Sequence, residues 1–201
     1  MEHRAEARID LIALASNIST LKSASKVDLL AVVKADAYGL PESQAISYGI
    51  HESMSRFWEN KIGLSREYWQ FNFPKMQKYF PDKLNNVDFD TFYKAINKVS
   101  PSLVRTVSDE ITYHFHIMIR YEIEKGLLEG SLKVKDLPEF WNAKYKAYLG
   151  VDVPSDQKGV LQDVHWSHGA IGYFPTYSLG SFYAAQWHHC IKEAHPNFDE
   201  K

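Results

Sequence analysis

A His-Glu pair at positions 51 and 52 is the first feature of the sequence that could do chemistry. In the H-E-x-x-H arrangement, two histidines one helical turn apart bind zinc, and the glutamate acts as a base toward a zinc-bound water. Position 55, where the second histidine of that arrangement would stand, is Ser55. The pair is therefore a zinc site that has lost a ligand, another part of a zinc site, or the surface of an ordinary helix.

Among the other histidines, His165 and His168 could share a face if their segment were helical, and in an irregular loop they would be exposed to solvent. His114 and His116 are two residues apart, and His188 and His189 are adjacent. In a helix, neither spacing places both rings of a pair on one face. Catalytic zinc needs three protein ligands and an open position for water, so we do not expect these histidines to complete a site.

Composition and charge narrow the class of protein. The chain has 201 residues, with 23 basic and 25 acidic side chains, and its formal charge is −2. This balance gives no electrostatic reason to bind nucleic acid or an anionic membrane. Cys190 is the only cysteine, which fits a reducing compartment, and no apolar run is long enough to span a bilayer. We therefore expect a cytoplasmic protein, whose charged N-terminus is not a signal peptide.

Residues 1–39 differ in pattern from the rest of the chain. Apolar residues recur at helical spacing from Ile9 to Leu21, and residues 27–33 form a short aliphatic run typical of a buried strand. The turn-forming residues at 37–41 follow. The pattern predicts a short helix-strand α/β piece over residues 1–39, joined to a second domain over residues 40–201.

Residues 40–201 read as a mainly α domain. Five segments predict helices, and four tryptophans are expected in the core: Trp58, Trp69, Trp141 and Trp166. The predicted elements are helix over 42–71, a helix opened by residues 88–91, a helix with one apolar stripe over 103–125, a helix from Lys135 to near Gly150, an irregular segment over 151–178 and a last helix over 179–193.

Lys34 lies at the end of the predicted strand, followed by Tyr38. Burial at a strand end can lower the pKa of a lysine and make its amine nucleophilic toward an aldehyde. Tyr38 would then lie close enough to bind a phosphate or the amine. The alternative interpretation is a lysine that ends the strand with its charge in water.

This N-terminal stretch resembles the start of the alanine racemases. The resemblance is carried by Ala7–Leu11, Asn17 and Val32–Gly39, and it ends at Leu40-Pro41, where that family continues with His-Gly. It implies that Lys34 forms a Schiff base with pyridoxal phosphate and that Tyr38 lies at the cofactor. The (β/α)₈ barrel of such enzymes needs about 250 residues, so we do not expect this chain to bind the cofactor.

Residues 40–194 resemble the carboxypeptidase Taq family, which are helical, zinc-dependent metallocarboxypeptidases. The resemblance covers about the C-terminal third of a family member. The blocks that carry it are Gly49–Ser53, Ser55-Arg56, Trp58–Asn60, Phe92–Lys98, Ser102–Arg105, Asp109-Glu110, Val134–Pro138, Gly159–Trp166 and Gly172–Tyr177.

The resemblance implies a metal role for Glu52. In that family the His-Glu-Ser block follows the H-E-x-x-H helix, and its glutamate is the third zinc ligand; Ser55 is then not a lost ligand. The H-E-x-x-H helix should precede residue 40, where this chain carries the racemase-like stretch. Zinc is thus the cofactor of the family, and its site is incomplete here, because two ligands and the catalytic glutamate are missing.

Arg105 matches a family block whose arginine holds the C-terminal carboxylate of the substrate. A guanidinium suits this role, because it binds a carboxylate through two hydrogen bonds. The alternative interpretation is a structural ion pair between Arg105 and Asp109, one helical turn apart.

The resemblance also implies roles for five residues near the C-terminus. His165 is expected to face the substrate backbone near the metal, and Gln162 and Asp163 to support it or the bound substrate. Tyr173 and Tyr177 stand where related zinc peptidases carry a phenol that stabilises an oxyanion, and the sequence does not choose between them. The alternative for each tyrosine is a place in the core.

Three hypotheses follow. The chain is the C-terminal portion of a zincin-like metallocarboxypeptidase that removes C-terminal residues from peptides, and it is inactive alone. It is instead a pyridoxal-phosphate protein, through Lys34. Or it is a non-catalytic helical module, whose exposed apolar surface would favour a homodimer.

Overall fold

The structure, a computed structural model, describes residues 47–198. Within this range it is helical and contains no strand, which confirms the predicted mainly α fold. The helices are α1 (Tyr48–Arg56), α2 (Arg66–Tyr79), α3 (Pro81–Leu84), α4 (Phe89–Ile96), α5 (Tyr113–Leu128), α6 (Leu137–Leu149) and α7 (Pro175–Ala194).

Shorter helical turns connect these helices. A π-helical segment, Phe57–Ile62, continues α1, and four 3₁₀ turns lie at Arg105–Val107, Val134–Asp136, Asp156–Lys158 and Trp166–His168. None of the helices in residues 47–198 has the length and apolar character needed to cross a membrane. The predicted helix and strand of residues 1–39, with Lys34 and Tyr38, and the domain boundary at residue 40 lie outside the described residues.

The predicted single helix over 42–71 is wrong, because the described part of it forms two helices. The π-helical segment ends at Ile62, and the Ser65 hydroxyl accepts a hydrogen bond from the Tyr68 N–H, which starts α2. A serine in this position satisfies a backbone donor that a continuous helix would have bonded internally. α2 then continues through Pro74.

Two predicted helix boundaries are confirmed. α4 starts directly after Asp88, whose carboxylate accepts a hydrogen bond from the Thr91 N–H at 2.9 Å. α6 starts at Leu137 with Pro138 in its first turn and ends at Gly150, which has a φ of 69°. That left-handed conformation favours glycine.

The third predicted helix starts ten residues later than its pattern indicated, at Tyr113 instead of 103. The cause is Asp109, whose Oδ1 accepts hydrogen bonds from the N–H groups of Ile111 and Thr112 and holds a turn there. The apolar stripe is correspondingly incomplete: Ile119 and Ile123 are buried, but Ile111 is 59% exposed.

The last helix starts earlier than predicted. α7 begins at Pro175, because proline fits the first turn of a helix, where its missing N–H has no partner to lose. The irregular segment therefore ends at Phe174 and not at 178, and Tyr177 lies on a helix. This places Tyr177 one turn after Tyr173, which precedes the helix.

The core lies between α5, α6 and the irregular segment. One group of buried side chains is Ile119, Ile123, Trp141, Tyr145, Leu149 and Val160, and a second is Tyr113, Ile117 and Phe174. Trp141 is confirmed as a core residue, while Trp69 and Trp166 are partly buried. The prediction for Trp58 is wrong, since this side chain is 49% exposed.

α1 packs closely against α7 through small residues. Gly180 of α7 lies so near Glu52 that an added Cβ atom would come within 2.9 Å of the Glu52 backbone and Cβ. Ser53 is fully buried at the same contact. The helix spacing at this point therefore depends on a residue without a side chain, and it sets the position of Glu52.

Candidate functional site

Glu52 lies on α1 and is 3% exposed. Its Oε1 atom accepts a hydrogen bond from the Tyr173 hydroxyl at 2.5 Å, and its Oε2 atom accepts one from the Ser55 hydroxyl at 2.9 Å. The residue at the position of the missing second histidine thus orients the glutamate carboxylate. Tyr48, from the first turn of α1, covers Tyr173 with a ring-to-ring distance of 5.3 Å.

His165 and Tyr177 form a second hydrogen-bonded pair. The Nε2 atom of His165 lies 2.8 Å from the Tyr177 hydroxyl. Burial raises the pKa of Tyr177, and the negative charge of Glu52 raises it further. The phenol therefore keeps its proton and remains a hydrogen-bond donor. The rings of Tyr173 and Tyr177 are 5.2 Å apart, so the two pairs adjoin.

Arg105 forms the third part of the site. Its Nε and Nη2 atoms donate to Asp163 Oδ1 at 3.0 and 2.8 Å, and its Nη1 atom donates to the Tyr113 hydroxyl at 3.0 Å. The guanidinium also lies over the Tyr177 ring, 4.8 Å from its centroid. The alternative pair with Asp109 is wrong, because Arg105 lies in a 3₁₀ turn and its ionic partner is Asp163.

Asp163 binds two arginines, and the second of them, Arg120, was missed by sequence reasoning. Arg120 Nε donates to Asp163 Oδ2 at 2.6 Å, and Arg120 Nη2 donates to Gln162 Oε1 at 2.9 Å. Burial alone would raise the pKa of Asp163, but the charge of Arg120 and the hydrogen bonds from Arg105 outweigh it and hold the pKa below its ordinary value. A charged residue inside an apolar helical stripe was the signal that could have identified Arg120.

Gln162 and Asp163 therefore lie against the arginines more than against His165. The Oε1 atom of Gln162 accepts from the Arg105 backbone N–H at 3.0 Å as well as from Arg120. Asp163 Oδ1 is 3.9 Å from His165 Nδ1, which is an ion-pair distance and not a hydrogen bond.

The described residues do not complete a metal site. Within residues 47–198, no group of three His, Cys, Asp or Glu side chains is arranged to hold a metal ion. His114 hydrogen-bonds with Ser178, and His116 with Tyr145, at 2.9 and 3.0 Å. Glu52 offers one carboxylate, while catalytic zinc takes three protein ligands. The donor set of this part of the chain therefore fits a fraction of a zinc site.

Comparison with curated proteins identifies relatives that are named carboxypeptidases. The chain is 46% identical to carboxypeptidase 1 of Bacillus subtilis over 157 residues, which are 78% of this chain and 31% of the relative. It is 49% identical to thermostable carboxypeptidase 1 of Thermus thermophilus over 151 residues, or 75% of this chain and 29% of the relative. The chain thus spans about a third of the length of the curated relatives it matches.

Solved structures match the helical fold. The BsuCP crystal structure superposes with a TM-score of 0.77 at 45% identity, covering 83% of this chain and 34% of that one. The M32 carboxypeptidase of Deinococcus radiodurans gives a TM-score of 0.73 at 41% identity, with the same coverage of 83% and 34%.

A family model places these similarities in one group. The model of the carboxypeptidase Taq (M32) metallopeptidases matches residues 31–201. The match begins inside the stretch 1–39 and includes both Lys34 and Tyr38. It covers most of the chain, and the resemblance read from the motif blocks of residues 40–194 is confirmed. The chain belongs to the carboxypeptidase Taq (M32) metallopeptidase family.

Proposed function

We propose that this chain supplies one side of the active site of a zinc-dependent metallocarboxypeptidase, which removes C-terminal residues from peptides. The observation that carries the proposal is the joining of Glu52 to Tyr173, 121 residues later in sequence, beside the His165–Tyr177 pair and Arg105. These are the positions to which the family resemblance assigns a metal ligand, contacts to the reacting carbonyl and a carboxylate clamp.

Glu52 is proposed as one metal ligand. Its carboxylate is held from both oxygens, by Tyr173 and Ser55, and hydrogen bonds of this kind orient ligands and tune metal sites. The metal, once bound, would polarise the peptide carbonyl and activate water. The 201 residues contain no H-E-x-x-H sequence, and the remaining ligands are proposed to come from another polypeptide segment.

Arg105 is proposed to bind the C-terminal carboxylate of the substrate. A guanidinium has five N–H donors, and three of them donate to described partners, Asp163 and Tyr113. Two donors are left for a ligand. Asp163 and the Tyr177 ring fix the plane of the guanidinium, and a preoriented arginine loses little entropy when it binds a carboxylate.

His165, Tyr173 and Tyr177 are proposed to contact the peptide carbonyl. Tyr173 donates directly to the proposed metal ligand, so its phenol is the better candidate for stabilising an oxyanion at the metal. Tyr177 shares its hydroxyl with His165 and is proposed to hold that ring toward the substrate backbone. The test is to compare Tyr173→Phe and Tyr177→Phe in the reconstituted enzyme described below: the former should lower kcat more.

The chain alone is proposed to hold no stoichiometric zinc and to hydrolyse no peptide. The test measures zinc by elemental analysis after dialysis and hydrolysis of a blocked dipeptide, first with this chain. It then adds the portion of the Bacillus subtilis relative that this chain does not cover, produced separately. We expect zinc and turnover only in the mixture.

Matched variants make that test specific. Glu52→Gln should abolish reconstituted zinc binding and turnover, whereas Glu67→Gln, an exposed glutamate on α2, should leave both unchanged. Zinc and turnover in the unmixed chain would contradict the proposal of an inactive portion. Reconstituted activity that survives Glu52→Gln would contradict the ligand role of Glu52.

The remaining hypotheses stay predictions. A pyridoxal phosphate site at Lys34 and Tyr38 is tested by the visible absorbance band of a Schiff base and by the loss of that band in Lys34→Ala. Absence of the band in the wild-type chain would contradict this hypothesis. Homodimer formation is suggested by exposed apolar side chains such as Phe71 and Phe182, which are 70% and 56% exposed, and a monomeric size-exclusion profile would contradict it. A cytoplasmic location and the lack of a nucleic-acid or membrane partner also remain predictions.

A further inference from the structure

Arg120 is a fully buried charge to which no role has been assigned. It lies in the middle of α5 and is 0% exposed. Its Nη1 atom donates to the His116 backbone carbonyl at 2.8 Å, and its guanidinium packs over the Trp141 ring, 4.6 Å from the centroid. Its other donors bind Asp163 and Gln162. A buried charge is costly and is retained where it is paired or functional.

The charges in this network do not cancel. Arg105 and Arg120 are two cations, and Asp163 is the one carboxylate that pairs with both. Burial and then the charge of Arg120 lower the pKa of His116 to about 3, so this neighbour is neutral at pH 7, and Gln162 carries no charge. Within this hydrogen-bonded network two arginines therefore share one carboxylate. The other buried carboxylates, Glu52 and Glu124, accept hydrogen bonds from Tyr173 and Ser55 and from Trp166.

We propose that Arg120 is a positioning residue for Arg105, and that the positive charge it contributes makes this site select a ligand with a free C-terminal carboxylate over a neutral one. The inference rests on the proposed role of Arg105 in carboxylate binding. It adds the reason why Asp163, which binds Arg105 directly, does not already neutralise the site.

The two arginines bind different oxygens of the Asp163 carboxylate, and this supports the proposed role of Arg120. Both contacts of Arg105 go to Oδ1, at 3.0 and 2.8 Å, while Oδ2 is taken by Arg120 at 2.6 Å. Without Arg120, Asp163 could turn both oxygens to Arg105 and satisfy it as a two-oxygen ion pair. With Arg120 present, the guanidinium of Arg105 is fixed in direction but only partly neutralised.

Arg120 also fixes the backbone next to Arg105. Gln162 Oε1 accepts from both Arg120 Nη2 and the Arg105 N–H, at 2.9 and 3.0 Å, and Gln162 Nε2 donates to the Leu103 carbonyl at 3.0 Å. The other buried arginine nearby, Arg56, has its own partner in Glu59 at 2.8 Å. Arg56 is therefore outside the network in which Arg105 and Arg120 share the Asp163 carboxylate.

The test measures ligand binding to the 201-residue chain by NMR, using ¹⁵N-labelled protein and the side-chain Nε–H signals of its arginines. The probes are N-acetylphenylalanine and its amide, which differ only in the charge of the C-terminus. The wild-type chain should bind the acid at least about tenfold more tightly than the amide, because charge-assisted hydrogen bonds are the stronger ones.

Three variants separate the charge from the packing. Arg120→Met should remove most of the acid preference and leave amide binding unchanged, whereas Arg120→Lys, which keeps the charge, should retain the preference. Arg66→Met, at an exposed arginine paired with Asp90, should change nothing. A merely structural role would weaken both probes alike.

The outcomes are distinct. If Arg120→Met keeps the acid preference, or if both probes weaken together, the inference is overturned while the role of Arg105 stands. Loss of the preference in wild type would overturn the carboxylate role of Arg105, and this inference with it. If circular dichroism shows that Arg120→Met does not fold, Arg120→Lys decides: a retained preference supports the inference, and a lost one overturns it.

Discussion

The hydroxyl of Tyr173 donates a hydrogen bond to Oε1 of Glu52 at 2.5 Å, across 121 residues of sequence. This bond ties the irregular segment before α7 to the first described helix. It also connects the proposed metal ligand to the tyrosine pair and, through Tyr177, to His165 and Arg105.

Replacing Tyr173 by phenylalanine should therefore destabilise the fold. The substitution leaves a buried carboxylate oxygen of Glu52 without its donor, and a hydrogen bond to a charged group contributes about 2 kcal/mol to stability. Urea unfolding followed by circular dichroism measures the change. Tyr121→Phe is the control, because Tyr121 is 50% exposed on α5, and its change should stay near zero. Equal effects in both variants would contradict the importance of the Glu52 bond.

Gly180→Ala should destabilise the chain by about 1–3 kcal/mol, the usual cost of overpacking a close contact. The new methyl group would lie 2.9 Å from the backbone and Cβ of Glu52, and α1 and α7 would have to separate. At an open helical site the same change is stabilising. A stabilising effect of Gly180→Ala in thermal or urea unfolding would therefore contradict the close contact between α1 and α7. Gln186→Ala, at an exposed site on α7, should have little effect.

Asp163→Asn should be among the most damaging single changes. It leaves Arg105 and Arg120, whose side chains are 8% and 0% exposed, without their carboxylate, and breaking a buried ion pair in this way costs about 3–5 kcal/mol. Asp152→Asn removes an exposed pair with Lys146 and should cost less than about 1 kcal/mol. Comparable urea midpoints for the two variants would contradict the burial of this network.

His116 should make stability depend on pH. Its folded-state pKa is lowered from 6.5 to about 3, by burial and then by the charge of Arg120. In the window between these values the unfolded chain binds a proton at this position and the folded chain does not. The contribution of His116 to the free energy of unfolding is therefore fully present above the ordinary pKa. It falls as the pH drops through the window, by up to about 1.4 kcal/mol per pH unit.

The measurement is urea unfolding at several pH values between 4 and 6.5, a range inside that titration window. His116→Gln should flatten the dependence, and His189→Gln, at a side chain that is 74% exposed, should leave it as in wild type. A wild-type NMR titration in which the His116 ring takes up its proton near pH 6.5 would show that the ring is not held neutral.

Local sequence signals predicted the elements that depend on neighbours within one turn. Asp88 starts α4, and Gly150 ends α6, as expected, because each satisfies backbone groups a few residues away. The apolar pattern misplaced the start of α5, because it does not reveal the turn that Asp109 holds. Trp58 was misassigned because burial is decided by distant packing and not by residue type.

The amino-acid sequence was enough to predict helices and a resemblance to the carboxypeptidase Taq family, because helix signals act within a turn and motif blocks are read in order. Contacts between the candidate residues are visible only in the folded chain: Tyr173 with Glu52, Tyr177 with His165, and Arg105 with Asp163. The partner of Arg120 is also visible only there, since the carboxylate that pairs with this buried arginine lies 43 residues later in the sequence. Contacts of that range are set by the packing of whole helices, which a linear pattern does not encode.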